Sequence, residues 1–230
     1  MYLDDFAKKA STTIWEYEEP QKYLESRGFE RQDVEHFGLG FVKVARIPKS
    51  SSQDYVAFCE ATDNLRRLQG KILFPLRNIL GNVHGFETRS LKEKLYVQYF
   101  LPEAKKTGAM FGLIEALPHI LRTKKVFVHE GAFNAMAFAR IFPNTVSSLT
   151  SFLSAPQYEL LMFFADKIIL IYDRDKAGEI GVRKMAAAYG AKHLDNIFLG
   201  DDDANKYLQM FGREKFEGFI RSKIPKVLQE

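Results

Sequence analysis

Apolar positions recur at helical spacing through Phe6, Ile14, Tyr17 and Tyr23, which predicts a helix over 4–27 that Gly28 ends. A second helical patch, 30–37, runs into the Gly38–Gly40 turn, and FVKVARI at 41–47 reads as a strand. PKSSSQ at 48–53 is the clearest loop in the chain. Two strand-like runs, KILFPLR at 71–77 and residues 82–89, flank a turn at Gly81 and predict a hairpin.

Beyond residue 120 the pattern changes. KVFVH at 125–129 is a short apolar strand, and 132–141 is a helix rich in Ala, Phe and Met. Thr145–Leu149 reads as a strand, then Ser154 caps a helix over 155–165, with Pro156 in its first turn and Gln157 three residues on. KIILIY at 167–172 is continuously apolar, a helix follows at 177–189, and a last strand is predicted at 196–199. Strands alternating with helices across short connections imply a parallel sheet covered on both faces. Pro118 and the basic 122–125 stretch place a boundary near 120. The predicted organisation is therefore a mixed α+β subdomain over 1–120, an α/β domain over 121–208 and a helical tail over 209–230.

Composition narrows the setting. Of 230 residues, 46% are hydrophobic and 27% charged, the balance of a folded globular chain. No run approaches the roughly 18 apolar residues that span a bilayer. MYLDDFAKKA has no apolar core of a signal peptide, and the single cysteine, Cys59, excludes a disulfide framework or a cysteine-rich zinc site. A cytoplasmic protein without membrane partners is expected.

Charge is uneven. Residues 1–35 hold five Lys/Arg against nine Asp/Glu, whereas residues 64–107 hold nine Lys/Arg against three acids. The second stretch interleaves its cations with Phe74, Phe86, Tyr96, Tyr99 and Phe100, which suits a groove that tracks a nucleic-acid backbone. A solvated basic face has the same composition, so charge alone leaves both readings open. The histidines, His36, His84, His119, His129 and His193, are scattered and lack ligand spacing.

In open α/β sheets ligands bind beyond the carboxyl ends of the strands, and three acidic signals fall there. Glu130 follows KVFVH, Asp173 and Asp175 follow KIILIY, and Asp201, Asp202 and Asp203 follow the last strand. Two acids spaced two apart in an extended segment point the same way. Converging carboxylates suit a hard divalent cation that holds substrate phosphates. A lone strand-end acid is usually solvated; three separate signals, each just after a predicted strand, favour a metal site.

The motifs as they stand resemble a Toprim domain: VHEGAFNAM (128–136), YDRDKAG (172–178) and GDDDANKYL (200–208). Upstream, EPQKYLESRGFERQDVEHFGLGFV (19–42), GKILFPLRNILGNVHGFETRSL (70–91) and KLYVQYFLPEAKKTGAMFGLIEA (94–116) resemble the catalytic core of DnaG-type bacterial and phage primases. Other Toprim proteins, topoisomerases and nucleases, do not share that half. The resemblance implies a Toprim domain preceded by a mixed α+β subdomain, and primer synthesis on single-stranded DNA from nucleoside triphosphates with Mg2+ or Mn2+. It implies catalytic roles for Glu130, Asp173 and Asp175, with Asp201 and Asp203 as further metal ligands. It also implies nucleotide or template contacts for Arg77, Arg89, Lys94, Lys106 and Lys176.

The departures have consequences. The family's DGD is DRD here, with Arg174 at the glycine; its acid four residues after the catalytic Glu is Asn134; and its lysine before Tyr falls at Leu95, beside Lys94. A zinc ribbon before the core and a helicase-binding region after it are absent from this sequence, as in a bare polymerase core that a phage encodes or an excised fragment retains. A zinc-ribbon protein and a replicative helicase are then expected as separate partners. The alternatives are a Toprim metal-dependent nuclease and a catalytically weak nucleic-acid-binding replication subunit.

Overall fold

The computed structural model describes residues 2–44, 53–101, 108–172, 176–190, 192–200 and 203–225. The chain divides into two units, Met1–Ala109 and Met110–Glu230, each with its own four-stranded sheet among the described residues.

The first unit opens with α1 (Tyr2–Thr13), a 3-10 turn at Ile14–Glu16, α2 (Glu18–Ser26) and α3 (Arg31–His36). The single helix expected over 4–27 is thus two. Tyr17 is extended between them, and Pro20 explains the break, since it has no N–H to donate to the preceding turn and fits only in the first turn of α2. The strand β1 is confined to Gly40–Phe41, while 45–47 of the expected 41–47 lie outside the described residues. Helix α4 (Gln53–Ala61) then leads to β2 (Lys71–Arg77), β3 (Val83–Ser90) and β4 (Tyr96–Phe100).

These strands form an antiparallel sheet in the order β1-β2-β3-β4, so the expected hairpin is present. A bulge at Leu76/Arg77 shifts its register beside the turn. One face carries Leu73, Phe86 and Tyr99 into a core with Leu3, Ala7 and Phe58. Asp4 Oδ1 locks α1 to this face by accepting the Val83 N–H at 2.8 Å. Gly40 is required where α1 crosses: a Cβ there would lie 2.7 Å from the Cβ of Ala10. Alternation sends Ile72, Phe74, Glu87 and Arg89 to the opposite face.

The second unit runs α5 (Leu113–Thr123), β5 (Lys125–His129), α6 (Ala132–Ala139), β6 (Thr145–Ser147), α7 (Ala155–Phe164), β7 (Lys167–Ile171), α8 (Lys176–Tyr189), β8 (Leu194–Asn196) and α9 (Ala204–Lys223). Its sheet is parallel throughout, in the order β6-β5-β7-β8. Ser154 N–H donates to Gln157 Oε1 at 3.1 Å, which realises the predicted cap of α7. Val126, Val128, Ile168 and Leu170 pack with α5 and α7, while Phe127, Phe138 and Phe142 stack with ring centroids 5.0–5.3 Å apart.

The division at 109/110 puts α5 in the second unit, where the sequence reading places it in the first. Pro118 lies inside α5 rather than at a boundary, because Leu113, Ala116 and Ile120 bury a full apolar stripe. Burying Leu113 and Ile120 contributes roughly 1.5–3 kcal/mol each, which offsets the roughly 3 kcal/mol that an interior proline costs. The 209–230 tail likewise begins within α9. That helix kinks at Gly212 (φ 69°) and buries Phe216 and Ile220 in the second unit. The edge strand β8 falls at 194–196, not 196–199, pairing Leu194–Asn196 with Ile168–Leu170.

Candidate active site and nucleic-acid interface

The register of the parallel sheet places Glu130 level with the end of β7. His129 at the end of β5 pairs with Ile171 at the end of β7, so Glu130 and Tyr172 leave adjacent strands at the same level. The Glu130 Oε1 atom is shielded from water, and Ser147 Oγ from β6 donates to the Glu130 carbonyl at 3.1 Å. Burial pushes the Tyr172 phenol up; Ser148 opposes the shift, and the Glu130 carboxylate adds to it. Glu130 therefore acts electrostatically on the first residue past β7. Asp173 and Asp175 follow Tyr172 in sequence and lie, with Asp201, outside the described residues.

Asp203 is the N-cap of α9, where its Oδ1 accepts the Lys206 N–H at 2.7 Å. Asn134, on α6, accepts the Asn205 N–H through Oδ1 at 3.0 Å and so fastens the start of α9 to α6. His129 is 1% exposed, its ring 4.8 Å from that of Phe138, and burial depresses its pKa to about 3. It is a neutral core residue. Among the described residues no three metal-ligating side chains cluster. The donor set of Glu130 and Asp203, joined in sequence by Asp173, Asp175 and Asp201, is all carboxylate, the chemistry of a hard divalent cation rather than a soft one. With one oxygen of Glu130 sealed from water at a strand end, these residues fit such an ion.

In the first unit Arg89 is the centre of a cluster. Its Nε donates to the Tyr23 hydroxyl at 2.8 Å, and its guanidinium carbon lies 4.6 Å from the centre of the Tyr96 ring. Arg27 Nη2 donates to the same hydroxyl at 3.2 Å. Two guanidinium groups thus share one phenolic oxygen, and Arg89 Nη1 is buried without a hydrogen-bond partner. An adjacent pair of cations with an unsatisfied buried N–H is suited to an anion with several acceptor oxygens. Sequence reasoning singles out Arg89, and Tyr96 as one of the interleaved aromatics, but gives no nucleic-acid role to Tyr23 or Arg27. The one available signal is the spacing of Tyr23 and Arg27 in YLESRG, which sets them one helical turn apart.

The other predicted basic residues disperse. Arg77 Nη1 donates to the Gly81 carbonyl at 3.1 Å, across the hairpin turn. Lys94 is exposed between β3 and β4, Lys176 is the exposed first residue of α8, and Lys106 lies outside the described residues. On the Arg89 face of β3 sits a carboxylate the sequence does not single out. Glu87 is 4% exposed, and Gln98 Nε2 donates to its Oε1 at 3.3 Å. Burial raises the Glu87 pKa to about 7, against the opposing Gln98 hydrogen bond.

A four-stranded parallel sheet with an acid leaving a central strand is the arrangement of a Toprim-like domain, and residues 127–208 match the Toprim-like family model. Residues 7–107 match the model of the DNA primase catalytic core, N-terminal domain. The chain thus combines the two domains of the DnaG-type primase catalytic core.

Relatives agree. The DNA primase of Haemophilus influenzae is 27% identical over 225 residues, which cover 88% of this chain and 38% of that protein. The DNA primase of Thermotoga maritima is 28% identical over 176 residues, covering 70% of this chain and 31% of the relative. The chain therefore spans well under half the length of either. A solved DnaG catalytic core superimposes with a TM-score of 0.77 at 23% identity, covering 96% of this chain and 79% of that one. A DnaG primase catalytic domain bound to single-stranded DNA gives 0.73 at 23% identity, covering 96% and 80%. Among the described residues no helix is long and apolar enough to cross a membrane.

Proposed function

We propose that this chain synthesises short RNA primers on a single-stranded DNA template from nucleoside triphosphates, in the cytoplasm of a bacterial or phage-infected cell. The observation that carries the reading is the level pairing of the β5 and β7 ends, past which come Glu130 on one strand and, on the other, Tyr172, followed in sequence by Asp173 and Asp175. Glu130, Asp173 and Asp175 would hold a magnesium or manganese ion, with Asp201 and Asp203 serving a second. When bound, such ions supply positive charge that neutralises the triphosphate and orients the attacking hydroxyl.

The chain's own groups do the positioning. Arg89 and Arg27, joined by Tyr23, hold phosphate oxygens of the nucleotide or the template, and Tyr96 keeps the Arg89 plane fixed. Lys94, Lys106 and Lys176 add sequence-independent attraction for the backbone. A zinc-ribbon module and a replicative helicase would raise the rate by concentrating template at the site.

The test incubates the chain with single-stranded template, labelled nucleoside triphosphates and magnesium or manganese. Oligoribonucleotide products are expected. Template shortening without synthesis, or binding without turnover, overturns the proposal.

A further inference from the structure

The same end of the first sheet carries a second basic feature, bordered by α2 through Glu19, one turn before Tyr23. Lys71 opens β2 opposite Ser90, the last residue of β3. Around this pair Glu19, Lys43, Gln69, Gly70 and Lys92 complete a depression of about 350 Å3, near the lower end of the range for ligand sites. Lysines from three places in the chain line it: Lys43 past β1, Lys71 at the start of β2 and Lys92 past β3. Among the described residues, the only carboxylate in its lining is Glu19, 3.7 Å from Lys43 Nζ.

Among the described residues, Lys71 and Lys92 form no ion pair. Lys71 is crowded further: burial and the nearby Arg67 charge lower its pKa, with Glu93 opposing. Positive charge is in surplus, and an anion would relieve it. A flat solvated face would scatter such lysines, whereas here they converge on a concavity.

Position selects the anion. Arg89 and Ser90 are consecutive on β3, so their side chains lie on opposite faces of the sheet. The end of that strand bears the Arg27–Tyr23–Arg89 cluster on one face, and the depression wraps the sheet end: Lys71 and Ser90 belong to the other face, whereas Glu19 lies one turn before Tyr23 on α2. A chain of phosphates passing over the sheet end meets both. Among the described residues the lining holds no aromatic ring on which a base could stack, and lysines are point charges on flexible stems, suited to holding a backbone rather than to reading a base.

We propose that this depression is a second phosphate dock, holding the backbone of the single strand whose neighbouring phosphate lies at the Arg27–Arg89 pair. The proposal rests on the nucleic-acid reading above. The test uses the full chain with Lys71→Glu and Lys92→Glu together, and fluorescence anisotropy of a labelled single-stranded oligodeoxynucleotide across a salt series. Binding of a nucleoside triphosphate is measured in parallel. A control reverses two remote exposed charges, Lys8→Glu and Lys215→Glu.

Oligonucleotide affinity should fall about tenfold relative to the control, and the salt slope should shrink by about 1.4, the loss of two single-strand phosphate contacts. Triphosphate binding and the melting temperature should not change. If the reversal unfolds the chain, Lys71→Gln with Lys92→Gln should shrink the slope in the same sense. An affinity and slope equal to the control's overturn the proposal, as does a loss confined to triphosphate binding, which would assign the depression to the nucleotide. A wild-type chain that binds no single strand overturns the nucleic-acid reading itself, before any variant is compared.

Discussion

Arg89 donates its Nε proton to the hydroxyl of Tyr23 across 66 positions of sequence, at 2.8 Å. The same oxygen accepts from Arg27 at 3.2 Å, so a single atom holds two like charges side by side. Tyr23→Phe removes that atom and keeps the ring. It leaves a donor on a residue only 6% exposed without its acceptor, a loss of about 1–3 kcal/mol. The two guanidinium groups should also separate. Thermal melting should show the destabilisation, and single-strand affinity should fall several-fold at low salt, as measured by anisotropy. Affinity equal to wild type would mean that the arginines act independently.

Glu87 predicts an unusual pH dependence. Its folded pKa of about 7 lies above the ordinary 4.5, so between those values the folded chain binds more protons than the unfolded one. Stability therefore falls as pH rises from about 4.5 to 7 and levels above it, a change of at most about 3 kcal/mol from this group. Gln mimics the neutral acid and does not titrate. Glu87→Gln should melt higher than wild type at pH 8 and close to it at pH 4.5. Parallel stability curves for the two proteins would show that Glu87 is solvated.

These two side chains also mark what can be read from sequence. The parallel sheet is legible because strands buried on both faces become continuous apolar runs, as in KIILIY, and the carboxylates are legible because they punctuate the ends of those runs. The β2–β3 hairpin is legible from its turn glycine. By contrast β4 fully buries only Tyr99 of its five residues, beside a charged loop, and β8 is three residues of edge strand, so neither carries a strong periodic signal. Glu87 reads as one acid within a basic stretch, and only the three-dimensional neighbours show that it is enclosed. The Tyr23–Arg89 bond joins two segments with no shared local pattern.

At the strand ends the prediction is a separation of activity from stability. Glu130 holds one oxygen away from water, and Asp173 and Asp175 add two like charges to the same sequence-defined site. Glu130→Gln and Asp173→Ala should each abolish primer synthesis. Neither should lower the metal-free melting temperature by more than the equivalent of about 1 kcal/mol, because carboxylate repulsion is relieved. Manganese should raise the melting temperature of wild type and leave both variants unmoved. A variant that still gains stability from manganese would place the ion elsewhere.

Asn134 divides a structural role from an electrostatic one. Its Oδ1, in the first turn of α6 and four residues after Glu130, accepts the Asn205 N–H at 3.0 Å. Asn205 is buried and in turn accepts from Gln209 Nε2 at 2.7 Å, so the contact organises the first turn of α9, the helix that Asp203 caps. Asn134→Ala leaves the Asn205 N–H unsatisfied and should cost about 1–3 kcal/mol. Asn134→Asp keeps the accepting oxygen and brings a negative charge to the position where DnaG-type primases carry an acid. It should fold about as stably as wild type once a divalent cation is present and be less stable without one, since the added carboxylate repels Glu130. The manganese-induced rise in melting temperature should accordingly be larger for Asn134→Asp than for wild type, and primer synthesis should respond at lower manganese concentration. Equal rises for Asp and Asn would show that position 134 serves only to anchor α9, and that the metal shell is complete without it.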